Sequence, residues 1–191
     1  MEEFVRIIKG LDILRRRLKE QGVGTTMLWA MDHVVRRVTG APIEQVSRIT
    51  PLLHVGGQYK KRGWPLLQQR GIGAVVNLRI EFDDMEAGIA PEKYLHLPTV
   101  DDNPLSREHL EKGAAFIQDC MDENTGVYIH CKSGVGRAPS MAVGYFISTG
   151  MSFTEARQKV SAGRPFIRMM PGQVAVLQEY AESREAAAET S

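Results

Sequence analysis

One stretch constrains this chain more than any other: Val127-Tyr128-Ile129-His130-Cys131-Lys132-Ser133-Gly134-Val135-Gly136-Arg137-Ala138-Pro139-Ser140. An apolar run enters a Cys, five residues with two glycines lead to an Arg, and a Pro suited to a first helical turn follows. Met141, Ala142, Tyr145 and Phe146 continue at helical spacing until Gly150 ends the run. A strand, a tight loop and a helix N-terminus in succession make an anion site. Backbone N–H groups point inward and the helix end adds partial positive charge.

Each residue type in this stretch suits such a site. Gly134 and Gly136 let the backbone approach an oxyanion closely. Arg137 offers a planar fork for two phosphate oxygens. Cys131, facing those donors at a helix start, is favoured as thiolate and becomes a nucleophile aimed at phosphorus. Lys132, Ser133, Gly134, Val135 and Gly136, together with Arg137, are expected to line the bound phosphate. A lone Cys at a strand end would read as structural; two glycines and an Arg in this register argue for chemistry instead.

The surrounding pattern supplies a fold. Short β-like runs at Leu52–Val55, Ala74–Leu78, Tyr94–Leu97 and Val127–His130 alternate with helix-compatible stretches. Pro65 suits the opening of a helix over Leu66 to Arg70. Ser106 can cap a helix carrying Leu110, Ala114, Ile117 and Met121, with Gly126 as its stop. Ser152 and Glu155 form a capping box for a helix ending near Gly163, and a last helix is expected from Gln173 to Ala181. The fold class is therefore α/β, with a central, mainly parallel sheet flanked by helices and an N-terminal helical extension. The chain divides into an extension over 1–45, a catalytic domain over 46–184 and a polar tail over 185–191.

In the extension, Phe4, Ile7, Leu11, Leu14 and Leu18 recur at helical spacing up to Gly22 and Gly24, and Met27, Met31, Val34 and Val38 form a second stripe. The expected arrangement packs these stripes on the main domain and leaves Arg36 and Arg37 in water. Its rival is a basic amphipathic helix in peripheral contact with an anionic membrane.

Net charge is +1 over 191 residues, so no global field points to nucleic acid. The two cysteines, Cys120 and Cys131, are too few for a disulfide scaffold, and no apolar run reaches the ~18 residues of a membrane span. The acidic start, Met1-Glu2-Glu3, lacks a signal-peptide pattern, and the expected setting is a reducing, cytoplasmic one. His33, His54, His96 and His109 show no metal-ligand spacing, and no metal or cofactor is expected.

The His-Cys, five-residue, Arg signature resembles the cysteine-dependent protein phosphatases, and most closely their dual-specificity branch. The resemblance runs from about Val46 to Glu182. It includes Ile49-Thr50-Pro51-Leu52-Leu53-His54-Val55-Gly56-Gly57, Val75-Val76-Asn77-Leu78, Arg164-Pro165 and Pro171-Gly172-Gln173. It implies a metal-free, two-step reaction. The thiolate takes the phosphoryl group while an Asp protonates the leaving oxygen, and water then hydrolyses the phosphocysteine with the same Asp as base. Asp101 matches that acid best, since Tyr94–Leu97 precedes it and the Ser106 helix follows; Asp102 stands beside it. By the same resemblance His130 supports the loop and helps keep Cys131 ionised.

The sequence departs from the family after the Arg, where most members carry Ser or Thr and this chain carries Ala138. Gly-Arg-Ala-Pro resembles instead the phosphatases of regenerating liver, which implies slow hydrolysis of the intermediate. Lys132 occurs in lipid- and inositol-directed members, including the mitochondrial phosphatidylglycerophosphate phosphatases. Glu81-Phe82-Asp83-Asp84 sits where those have an acidic-aromatic stretch, though a surface loop is the commoner explanation. Phosphotyrosine, phosphoserine or phosphothreonine in proteins is the first expected substrate, and a lipid or inositol phosphate the second. A phosphate-binding pseudophosphatase and a rhodanese-type sulfurtransferase are the rivals from other classes.

Overall fold

The computed structural model describes residues 2–189, with side chains described at 12, 13 and 15–187. Four strands make one sheet: β1 (Leu53–Gly57), β2 (Ile72–Arg79), β3 (Lys93–Thr99) and β4 (Gly126–Cys131). Their order is β1-β4-β2-β3 and every pairing is parallel. All four lie where the apolar runs placed them. β4 is paired on both sides and buried throughout, which is why it reads as a nearly unbroken apolar run.

Alternation along β4 sorts its side chains. Val127, Ile129 and Cys131 enter the main core; Tyr128 points to a second cluster with Tyr59, Leu67, Ile72 and Val75. The main core is closed by α3 (Arg107–Asp122), α4 (Arg137–Ser148), α5 (Phe153–Gly163) and α6 (Pro171–Glu189), while α2 (Trp64–Gln69) covers the other cluster. α4 is buried from Arg137 to Ile147, so the helix that opens at the Cys131–Arg137 loop is also the centre of the core. Ser106 caps α3 by accepting from His109 N, and Ser152 with Glu155 completes the capping box of α5.

Two ends differ from expectation. α3 stops at Asp122, and the left-handed Asn124 (φ 54°) makes the turn, so that Gly126 opens β4 rather than ending the helix. α6 continues past Ala181 to Glu189, into the segment read as a polar tail.

The larger correction concerns α1 (Glu2–Thr39), which breaks at Gly22 (φ 78°, ψ 173°) as the glycines suggested. The stripe Met27, Met31, Val34 and Val38 does not pack on the domain; it is exposed, while Asp32 and Arg36 are buried. The reason is polar. Asp32 accepts from Arg164 (3.3 Å) and from Ile43 N (2.9 Å), and Arg36 donates to Gln58 O and Lys132 O. Those partners fix the rotation of the helix. In the first stripe Leu18 is exposed as well, while Phe4, Ile7, Leu11 and Leu14 have side chains outside those described.

Candidate active site

The segment between β4 and α4 is held from behind. Lys132 O accepts from Gln58 N (3.2 Å) and from Arg36 (3.3 Å), and Ser133 O from Arg164 (3.2 Å). Gly134 O accepts from Arg164 Nε, Val135 O from Arg168 N (2.6 Å) and Gly136 O from Ser140 N (3.0 Å). Five consecutive carbonyls thus have donors on the outer side. Because a trans peptide sets its N–H opposite its C=O, the amides of 133–137 are turned the other way, toward Cys131. One of them is seen to arrive there: Gly134 N donates to Cys131 Sγ at 3.2 Å. Gly134 is left-handed (φ 71°), and a Cβ on it would lie 2.2 Å from Gly56 C, so no other residue fits.

Arg137 starts α4 with its side chain buried. One terminal nitrogen donates to Thr99 O (2.7 Å), Leu78 O (3.2 Å) and Glu81 (3.0 Å); the other donates to Glu81 (3.1 Å) and meets Asp101 at 2.8 Å. Its Nε has no partner among the described residues. Burial works against the charge, but the hydrogen bonds to Glu81 and the negative charge of Cys131, Asp101 and Glu81 outweigh it, and the pKa lies above its ordinary value. In return the bond from Arg137 holds Glu81 down at about 2, against some opposition from burial.

The His130 ring lies against the Cys131 backbone, its Nδ1 3.4 Å from Cys131 O. It is fully buried, bonded through Nε2 to Asp84 (2.6 Å), stacked on Tyr128 and met edge-on by Tyr59. Asp84 also accepts from Gln58 Nε2 at 2.8 Å. The stretch Glu81-Phe82-Asp83-Asp84, expected to be an acidic surface loop, is therefore a clamp: one end holds Arg137 and the other holds His130. Asn77 and Tyr94 secure its middle, through Phe82 O (2.8 Å) and Asp83 (2.8 Å).

Asp101 and Asp102 both reach the site, differently. Asp101 rests on Arg137 with most of its side chain in water. Asp102 takes a left-handed turn (φ 62°) and lines a cavity of about 290 Å³ over Lys132, Ser133 and Val135. Arg168 and, from α1, Arg16, Arg17, Trp29 and His33 complete its wall. A second cavity, of about 370 Å³, lies on the other side of Lys132 against His33, Arg37 and Lys60. Ala138 is fully buried beside Arg137 in the first turn of α4.

Sequence reading thus located Cys131, Lys132, Ser133, Gly134, Val135, Gly136, Arg137, Asp101 and His130, and the structure brings them together. It missed Glu81, Asp84, Asp32 and Arg36. The acidic stretch was visible but carried no sign of its depth, and the arginine in α1 gave no hint of its distant acceptor.

A loop with its amides turned onto a Cys, closed by a clamped Arg, defines the cysteine-phosphatase class. A family profile described as "Tc-R-P: Polymorphic toxin system, DSP-PTPase phosphatase" matches residues 55–151, just over half of the chain, and the chain belongs to this dual-specificity-type phosphatase family. Dual specificity protein phosphatase 14 of Mus musculus is 28% identical over 136 residues, covering 70% of this chain and 67% of that protein. Phosphatidylglycerophosphatase and protein-tyrosine phosphatase 1 of Homo sapiens is 27% identical over 124 residues, 60% of this chain and 62% of that one. Protein phosphatase Slingshot homolog 3 of Rattus norvegicus is 28% identical over 72% of this chain, which spans only 21% of that relative's length. Among solved structures, PTPMT1 in complex with PI(5)P superposes with a TM-score of 0.67 at 26% identity, covering 74% of this chain and 97% of that one.

Proposed function

We propose that this chain hydrolyses phosphate monoesters through a phosphocysteine intermediate. The observation that carries the reading is the pairing of Cys131 Sγ with Gly134 N–H inside a loop whose carbonyls are all tied outward. The Cys131 thiolate attacks phosphorus as the ester P–O bond breaks, and Asp101 gives its proton to the leaving oxygen. Water then attacks the phosphocysteine, returning a proton to Asp101 as the P–S bond breaks and the thiolate re-forms. The loop amides and Arg137, with Nε free for a ligand, stabilise the equatorial oxygens. These donors already meet the charge of the transition state, so the proposed reaction calls on no metal or cofactor. His130, held by Asp84, keeps the strand end rigid beneath Cys131.

Residues 46–184 form the catalytic domain in this reading. Phosphotyrosine, phosphoserine or phosphothreonine in proteins is the first substrate class, and the setting is cytoplasmic. No described helix is long and apolar enough to cross a membrane. A lipid or inositol phosphate is the second class, favoured by one feature: Lys132 is exposed between two cavities walled by Arg16, Arg17 and Arg168 on one side and Arg37 and Lys60 on the other.

An aryl-phosphate assay in chelator, comparing the parent with Cys131→Ser, tests the chemistry. Activity is expected to vanish in the variant and to be indifferent to chelation; survival of activity in Cys131→Ser overturns the reading. Turnover of a phosphotyrosine peptide against lipid phosphate in vesicles decides the substrate class, and a much higher kcat/KM on lipid reverses the stated order.

A further inference from the structure

The second half of α1 is turned inside out. Val23, Met27, Met31, Val34 and Val38 follow one another at steps of four, four, three and four residues, which lines them along a single helical face. Their exposures are 68, 58, 50, 62 and 69%. The opposite face buries Thr26, Asp32 and Arg36. Rotating the helix to hide the stripe would break the Asp32–Arg164 ion pair and the bonds of Arg36 to Gln58 O and Lys132 O. A buried Arg164 without its counter-charge is a heavy cost, so the apolar face is held outward. A continuous exposed apolar stripe of this kind marks an interaction surface.

The charges around the stripe select its occupant. At its C-terminal end stand Lys60, Lys61 and Arg62, all exposed; Arg62 bonds to Val38 O and Arg37 O, and Lys60 to Arg37 O. Arg37 projects beside them, and Arg15, Arg16 and Lys19 are exposed on the first half of the helix. The acidic residues among the described part of that half are few: Asp12 is exposed and Glu20 is engaged by Arg168. A second copy of the chain packed stripe to stripe would bring these cations against cations. An anionic lipid surface satisfies both the apolar face and its basic flanks.

We infer that α1 docks this protein on anionic membranes, its Val23–Val38 stripe lying at the boundary between headgroups and acyl chains and its basic flanks among the headgroups. Docking also sets an orientation. Val34 belongs to the stripe and to the wall of the basic cavity lined by Arg36, Arg37, Lys60 and Lys132, so this cavity, behind the Cys131 loop, opens at the level of the headgroups. The inference goes beyond the proposed chemistry and holds for a protein or a lipid substrate.

The test uses the full chain carrying Cys131→Ser, so that binding is read without turnover and the outcome is independent of the catalytic reading. Sedimentation with phosphatidylcholine vesicles, with and without phosphatidylglycerol, is expected to show binding to the anionic vesicles that weakens with salt. Met27→Glu with Val34→Glu, both at exposed positions that leave the fold intact by circular dichroism, is expected to weaken partitioning by more than about tenfold. Lys61→Glu with Arg62→Glu is expected to lose roughly fivefold per basic residue removed. No binding to anionic vesicles overturns the inference, as does binding that the stripe variant leaves unchanged. A dimer that becomes a monomer in the stripe variant, without lipid binding in either, assigns the face to a second copy and overturns it as well.

Discussion

Glu81 holds Arg137 with both carboxylate oxygens, at 3.0 and 3.1 Å, from a loop that lies more than fifty residues upstream of it in the chain. The pair places the guanidinium plane before any phosphate arrives, which is where a bidentate phosphate contact is won or lost. Glu81→Gln keeps the shape and removes the charge. It is expected to lower kcat/KM on an aryl phosphate by about tenfold or more and to lower the melting temperature at neutral pH as well. Steady-state kinetics beside a melting curve checks this; unchanged kcat/KM would show that Thr99 O and Leu78 O suffice to orient Arg137.

Ala138 leaves no hydroxyl next to the sulfur's cradle. Breakdown of phosphocysteine is therefore expected to be slow, visible as a pre-steady-state burst of leaving group. Ala138→Ser is expected to raise the steady rate and shrink the burst. A parent without a burst, or a variant no faster than it, counts against this assignment.

Two carboxylates compete for the role of general acid. Asp101 touches Arg137, whereas Asp102 faces the cavity over Lys132 and Ser133. Asp101→Asn is expected to remove the basic limb of the pH–rate profile and Asp102→Asn to preserve it. The opposite result moves the proton to Asp102.

His54 is buried with neither ring nitrogen bonded among the described residues, and its pKa is lowered from 6.5 to about 4, chiefly by burial, then by Arg70 and Arg48. A base with a depressed folded pKa is protonated more readily when unfolded. Its contribution to stability is present above pH 6.5 and is lost as pH falls toward 4. His33 shifts in the same direction for the same first reason. The melting temperature is expected to decline over that interval, and His54→Leu to flatten the decline. Glu81, held down at about 2, adds a second loss at lower pH, as protonation weakens its grip on Arg137.

Asp32 and Arg164 are both fully buried, and Arg164 also secures Ser133 O and Gly134 O. Asp32→Ala strands that charge and is expected to cost about 3 kcal/mol or more in denaturant unfolding, together with a loss of kcat. Arg36→Ala, which removes one of the two donors to Lys132 O, is expected to lower kcat more than stability, with partial rescue by Arg36→Lys.

What could be read from the sequence was whatever local pattern determines. The four strands, the caps at Ser106 and Ser152 and the Cys131–Arg137 loop all rest on neighbours within a few residues. Hidden from it were contacts whose partners are far apart in the chain. Glu81 looks like any surface acid until Arg137 is placed against it, and Asp84 until His130 is. The rotation of α1 failed for the same reason. An apolar stripe normally decides which way a helix faces, but here one buried ion pair and two carbonyl contacts outweighed it.

The division drawn from sequence between 45 and 46 falls inside a short 3-10 helix, Glu44–Val46, and Asp32 reaches across it to the arginine that holds the Cys131 loop. For protein engineering this means that the portable unit is longer than the stretch shared with relatives. A chimaera begun at Val46 would carry Arg164 into its core with no counter-ion and leave Lys132 O short of a donor. A transplant that includes the helix from Gly22 onward would carry its own scaffolding with it.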